Sequence, residues 1–345
     1  MQHTRYVVSS FLISIGFLAV SALGVRTVAT DSDLHSRAFE FTYRVHLDPT
    51  SLGEGSVRLW IPYPHSDAHQ EISDLTIEGT VPGAVYEEPG HGNLDYFVSV
   101  PSPNGPVDVT MRFRAVRREN VHRDFTRADA GRSLPEEVQR YLRPDALVPM
   151  NPEIRTQAER ITAGQSTPAA KARAIYDYAI AHLKYDKTGQ GWGHGDLLYV
   201  CDEKRGNCTD FHAFFIGFAR AVGIPARFSI GFPIPPDESK GTISGYHCWA
   251  EFYLSGYGWV PVDASEAWKH PEKKDYFFGG HDENRIQFTT GRDLVLRPAQ
   301  QGGPLNYFIY PYAEIDGRPV QGLEYEFSFR DLDGTSGEKR APSAK

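Results

Sequence analysis

The sequence predicts an α+β protein in which an all-β, sandwich-like stretch precedes a mixed region of helices and strands. Three observations carry this reading. Between Arg37 and Asp124, short runs alternate polar and apolar residues and are separated by Pro, Gly, Asn and Asp clusters, the pattern of half-buried strands. Near Leu134 the apolar period changes to that of helices. Further on, a helix with a cysteine at its start precedes an aromatic-rich hairpin.

The 345 residues are 40% hydrophobic, enough apolar material for the cores of two domains. The formal charge of -8 and the lack of any basic run interleaved with aromatics argue against a nucleic-acid partner. Arg117-Arg118 and Lys273-Lys274 read as solvated surface pairs.

Residues 1–25 differ in kind from the rest. Arg5 precedes the apolar run 11–20, and Val20-Ser21-Ala22 fits the small-residue rule for cleavage after Ala22. The expectation is an export signal, hence a periplasmic, cell-surface or secreted protein. The rival reading is an uncleaved membrane anchor over residues 6–25, which would be the chain's membrane contact. No cysteine precedes Cys201, so a lipid anchor on an N-terminal thiol is not expected.

The all-β domain is expected over residues 31–125, with strands at 39–45, 57–63, 95–100 and 107–115. His65, His69 and His91 lie among polar loop residues and read as surface histidines rather than metal ligands. A second domain is expected over residues 130–330. Its first helices fall at 134–142, 153–162 and 168–183, the last opened by Ser166-Thr167-Pro168, a cap followed by proline at the first helical position. Ala172, Ile175, Tyr176, Ala179, Ile180 and Leu183 form one stripe on that helix, which makes it a packing element.

Residues 185–202 read as a long glycine-rich loop, a length that usually carries function. Trp192 stands between glycines, where core packing explains it poorly. Its indole N–H is a donor without acceptor character and suits a developing oxyanion. His194, also between glycines, reads as exposed.

Asn207 then caps a helix that ends at Val222-Gly223 before Pro225. Cys208 takes the first helical position, where the aligned peptide dipoles favour a thiolate. Phe211, Phe214, Phe215, Phe218, Ala219 and Val222 recur at helical spacing and would bury this helix. A lone cysteine is most often structural, but the cap, the preceding Gly206 and the residues downstream favour a nucleophile. An exported chain with three cysteines leaves at least one unpaired. Cys201 and Cys248 can be written as a disulfide, or Cys248 as core.

A strand at 226–232 leads to a hairpin over residues 245–263. Alternation puts His247, Trp249, Glu251 and Tyr253 on one face of its first strand, and Trp259, Pro261 and Asp263 on one face of the second. Folding about the glycine turn brings Asp263 to within a few residues of His247. Cys208, His247 and Asp263 then supply a nucleophile, a base and an orienting carboxylate. Residues 305–315 and 323–330 read as a β pair that finishes the sheet, and 331–345 as a disordered tail.

Gly206-Asn207-Cys208, Arg220-Ala221-Val222-Gly223-Ile224-Pro225-Ala226-Arg227, His247-Cys248-Trp249-Ala250-Glu251 and Gly258-Trp259-Val260-Pro261-Val262-Asp263-Ala264 closely resemble the core of the transglutaminase-like superfamily. The resemblance implies a papain-like α+β core with Cys208 as nucleophile, His247 as base and Asp263 as carboxylate. Trp192, followed by Gly193 and then Asp196-Leu197-Leu198, looks like the tryptophan that builds the oxyanion hole with the backbone N–H of the cysteine. Calcium-binding segments and the C-terminal barrels of the animal enzymes are not evident, so calcium dependence is not carried over. A β-rich region before the core is similar to exported bacterial members.

The expected activity is acyl transfer or hydrolysis at a carboxamide or peptide bond through a thioester, without a cofactor or metal, on protein, peptide or cell-envelope substrates. A zinc site from Cys201, His194 and neighbours is the competing metal reading. A noncatalytic envelope binding or scaffold protein on the same fold is the competing function.

Overall fold

A computed structural model describes residues 34–49, 55–125 and 133–332. The expected leader, and the tail beyond Leu332, lie outside the described residues. Six strands open the chain: β1 (Ser36–Leu47), β2 (Val57–Tyr63), β3 (Gln70–Gly79), β4 (Gly83–Glu87), β5 (Leu94–Val100) and β6 (Val107–Arg118). Helices follow: α1 (Glu136–Gln139, continued by a 3-10 turn, Arg140–Leu142), α2 (Pro152–Ile161), α3 (Pro168–His182), α4 (Leu197–Glu203) and α5 (Cys208–Ala221). The remaining main elements are β7 (Ala226–Pro233), β8 (His247–Leu254), β9 (Gly258–Val262), α6 (Ala264–Lys269), β10 (Arg285–Thr290), β11 (Tyr312–Ile315) and β12 (Glu324–Asp331).

β6 shows why the first stretch is β. Val107, Val109, Met111, Phe113 and Ala115 are buried while the residues between them face outward, so period two places one apolar face on the core. β3 and β4 escaped the sequence reading. β4 is exposed along its whole length, and β3 packs only Ile72, Leu75 and Ile77 partly against the core, with the alternation broken between Ser73 and Thr76, so the apolar signal of both is weak.

The N-terminal strands and the chain's end share their sheets, which differs from a split into modules 31–125 and 130–330. One five-stranded sheet runs from the short strand Lys240–Thr242 through β12, β1 and β6 to β3; another runs from Arg318–Pro319 through β11, β2 and β5 to β4. β11 and β12 are therefore not partners of each other. Each fills a place in a different sheet, and Asp331, expected in the tail, pairs with Phe39 and accepts a 2.9 Å bond from Arg37 Nε.

The central sheet has the order β9-β8-β7-β10 and is entirely antiparallel. α5 packs against this sheet, and β1 meets it through Phe41, whose ring centroid is 5.5 Å from Phe232 and 5.7 Å from Phe288. The outer edge of β10 would expose unpaired peptide groups. Two side-chain amides meet them. Gln70 donates to Gln287 O at 3.0 Å and accepts from Gln287 N at 2.8 Å, and Asn93 does the same for Thr290 at 2.8 and 2.7 Å. The N-terminal strands are thereby hydrogen-bonded onto the sheet that carries the chemistry.

α5 is buried from Cys208 through Arg220, as a helix apolar nearly all round must be. α2, α3 and α4 surround it on the side away from the sheet. Its far end is pinned by Arg220, which donates to Ala226 O at 2.9 Å and to Arg143 O and Asp145 Oδ2 at 2.8 Å. The glycine-rich segment 185–202 is a loop only in its first part. From Leu197 it is α4, capped by Asp196, and the helix carries Cys201.

Candidate active site

The start of α5 is built by a reciprocal cap. Asn207 Oδ1 accepts from Thr209 N at 2.9 Å, and Asp210 Oδ2 accepts from Asn207 N at 2.8 Å. Cys208 therefore sits at the first helical position with its sulfur held rigidly and only 3% of the residue exposed. Its thiol is held well below the ordinary range by the neighbouring Cys248 thiol first, then by the hydrogen bond and charge of His247 and the charge of His212, against the pull of burial. Cys248 goes the other way, pushed up by burial and by Cys208. One sulfur is poised to be a thiolate and its neighbour a thiol.

The hairpin supplies the base. β8 and β9 pair with Ala250 opposite Val262, so Asp263 follows directly as the strand ends and α6 begins. His247 Nε2 lies 2.6 Å from Asp263 Oδ2, leaving Nδ1 for the sulfur. Burial by itself would lower the imidazole. The charge and hydrogen bond of Asp263, joined by Cys208, raise it to about 10. Asp263, fully buried, is kept well below the carboxylate range against burial by His247 and His212. Its Oδ1 accepts from Ser265 Oγ and Glu266 N, both at 3.0 Å, so one carboxylate caps α6 and orients His247. Arg285 Nη1 adds a contact to Oδ2 at 3.3 Å.

Other residues complete the site. His212, one turn beyond Cys208 and fully buried, has Nε2 3.5 Å from Asp263 Oδ1, long for a hydrogen bond, and Nδ1 3.7 Å from Cys248 Sγ. Its i,i+4 spacing from Cys208 was the readable signal. Tyr246 Oη is 2.9 Å from Thr209 Oγ1 and 3.2 Å from Asn207 Nδ2. Burial first, and the charge of the Cys208 sulfur second, push the phenol of Tyr185 up to about 12 and raise that of Tyr246. Lys269 Nζ sits 4.2 Å over the Tyr185 ring, and the Trp268 ring lies 6.3 Å from it, which places residues 268–269 beside the cleft.

Trp192 is half-buried on a loop whose next residue, Gly193, donates its N–H to Asp210 Oδ2 at 2.7 Å. His194 is exposed, and its carbonyl accepts from Arg292 and Asn306. His65, His69 and His91, expected on the surface, are half-buried. His91 is 3.1 Å from Tyr141 Oη and pushed by burial to about 4.

All three cysteines are free thiols. Cys201 on α4 is pushed by burial up to about 11, whereas Cys248 faces α5. Among the described residues no group of three or more His, Cys, Asp or Glu is placed to hold a metal ion, and no helix is long and apolar enough to cross a membrane. A cavity of about 870 Å³ lined by Arg140, Tyr141, Asp145, Arg220 and Arg292 lies at the far end of α5 and includes none of Cys208, His247 and Asp263.

Residues 155–264, which contain Trp192, Cys208, His247 and Asp263, match the model of the Transglutaminase-like superfamily. A protein of Haemophilus influenzae named only "Uncharacterized protein" is 27% identical over 361 residues, covering 93% of this chain and 96% of that one. "Uncharacterized protein YebA" of Bacillus subtilis is 26% identical over 183 residues, covering 49% of this chain and 23% of its own length. Among solved structures, one described as "a Putative Cysteine Protease from Cytophaga hutchinsonii" has a TM-score of 0.60 at 15% identity and covers 87% of this chain and 92% of that one. That likeness concerns the fold.

Proposed function

Because residues 155–264 form a transglutaminase-like core, we propose that this chain is a thiol enzyme that transfers or hydrolyses acyl groups at a carboxamide or peptide bond. The observation that supports it most is the buried arrangement of Cys208 at the capped start of α5 with His247, whose Nε2 lies 2.6 Å from Asp263 Oδ2; the lowered Cys208 thiol and raised His247 agree with it.

In this reading the Cys208 thiolate attacks the carbonyl carbon and forms a C–S bond, and the carbonyl oxygen becomes an oxyanion. The Cys208 backbone N–H at the helix start, with Trp192, is the proposed donor set for that oxygen. Collapse breaks the C–N bond, and ammonia or an amine leaves with the proton that His247 supplies. The thioester is then cut by water or by an incoming amine, His247 taking the proton, and Cys208 returns as thiolate. Water as acceptor makes the enzyme an amidase or peptidase; an amine makes it a cross-linking transferase. Peptides and cell-envelope components are the proposed substrates, the chain being exported with its leader cut after Ala22. N-terminal sequencing of the cellular protein tests that last point, and a mature chain that retains Met1 would count against it.

The activity is tested by incubating residues 31–345 with a peptide-amide library beside Cys208→Ala, following ammonia, amine incorporation and cleavage together. Product from the wild type alone is expected, and its kind names the acceptor. No turnover in either protein, with Cys208 inert to iodoacetamide, would favour a binding or scaffold role instead.

A further inference from the structure

Asp210 makes more hydrogen bonds than a helix cap needs. One bond, to Asn207 N at 2.8 Å, closes the capping box. The other two cross to a separate segment: Gly193 N donates to Oδ2 at 2.7 Å and Gly195 N to Oδ1 at 2.9 Å. The carboxylate is fully buried and accepts three backbone N–H groups around Cys208.

Its charge has the wrong sign for activating the sulfur. Burial raises the Asp210 carboxyl and the charge of the Cys208 sulfur adds to the rise, so by reciprocity Asp210 opposes the thiolate. The backbone is nonetheless shaped to admit it. A Cβ on Gly206 would fall 2.2 Å from Asp210 Oδ2, and Gly193, with φ of +86°, adopts a conformation that turns its N–H to the carboxylate at little steric cost. From the opposite side, Arg292 donates to Gly195 O at 2.8 Å and His194 O at 2.9 Å, while Asn306 also holds His194 O at 2.8 Å. The loop that carries Trp192 is therefore clamped between an anion on α5 and a buried cation on the strand side.

We infer that Asp210 is a positioning residue that locks the Trp192 loop to the first turn of α5, so that the donors for the developing oxyanion are assembled before substrate arrives. Resting on the acyl-transfer reading, the inference separates two chemistries at one sulfur. Acylation develops an oxyanion and needs the loop in place. Alkylation by iodoacetamide is a displacement at carbon and needs only the thiolate.

The test is Asp210→Asn in the full chain, whose side-chain amide cannot accept three N–H groups. We expect kcat on a peptide amide to fall about 10²-fold with little change in KM, the scale for losing one oxyanion donor. Cys208 alkylation at pH 6 should stay within about threefold of the wild type or rise, because a neighbouring negative charge is gone. Loss of both activities together, or of neither, overturns the inference. If Asp210→Asn does not fold, Arg292→Gln loosens the same loop without touching α5, and the same split is required of it. A wild type that alkylates readily but never turns over removes the acyl-transfer reading and the inference with it. A wild type that turns over, with no split in either variant, removes the inference alone.

Discussion

Replacing Asp263 by Asn tests the site at its most interpretable point. The substitution keeps the shape and keeps an oxygen able to cap α6 through Glu266 N, so the local fold should survive. It removes the charge that faces His247 at 2.6 Å. The rise of His247 from 6.5 to about 10 corresponds to about 5 kcal/mol in favour of the imidazolium, supplied mainly by Asp263 and partly by Cys208. Without the carboxylate, only Cys208 still opposes burial, and the imidazole shifts toward its neutral form. The amide N–H then competes for Nε2, the wrong tautomer for a base whose Nδ1 must take the sulfur's proton. Losing most of that preference should cost about 10³-fold in Cys208 alkylation at pH 6, and about 10⁴-fold in turnover if the orienting role matches that of other triads. The assay is the second-order rate of iodoacetamide with Cys208 from pH 4 to 10, Cys208→Ala marking reaction at the other thiols. An Asp263→Asn profile that overlays the wild type, with circular dichroism unchanged, would refute the ion-pair account.

Further consequences concern stability and pH. His247, raised above its unfolded value of 6.5, contributes stability that is fully present below 6.5 and is lost as pH rises through about 10; Asp263, depressed below 3.8, contributes stability present above 3.8 and lost on further acidification. Cys208, held below its unfolded value of 9.0, contributes stability that grows as pH rises to 9 and offsets the loss from His247 between 6.5 and 9, so urea midpoints should be highest between pH 6.5 and 9 and fall as pH passes 10; an undiminished midpoint above pH 10 would contradict the pairing. Gly231 sits at the bulge where β7 meets β10, and an added Cβ would fall 1.7 Å from Ile286 O. Gly231→Ala should cost about 3 kcal/mol or more by chemical denaturation, and a near-neutral value would show that the two strands can separate there. Gln70→Ala should leave two peptide groups of Gln287 unpaired at the edge of the central sheet and cost about 2 kcal/mol, readable as a lower thermal midpoint.

Much of the site was legible because its signals are local. The cap at Asn207, the stop at Gly223 and Pro225, and the phenylalanines between them define α5 with no knowledge of neighbours, and a helix start acts on a sulfur wherever the helix lies. The hairpin was equally local, since its glycine turn and period-two alternation bring residues 247 and 263 near each other. What the sequence by itself determined, then, were the elements that carry Cys208, His247 and Asp263, and the chemistry those side chains permit.

Only the tertiary structure decided the contacts made across long separations. Asp210 carries no pattern of its own in the sequence, and its hold on the loop exists only because residues 193 and 195 fold onto it. Cys248, open to several readings in sequence, faces α5 because odd and even residues of β8 point to opposite faces. Arg292 lies about a hundred residues from the loop it holds and carries no pattern of its own. β11 and β12 show the same limit. Their alternation marks them as strands, but a strand's partner is chosen by which edge is free and by the faces it can bury, so the chain's end completes sheets begun near its start. Periodicity along the chain reports which face is buried, not against what.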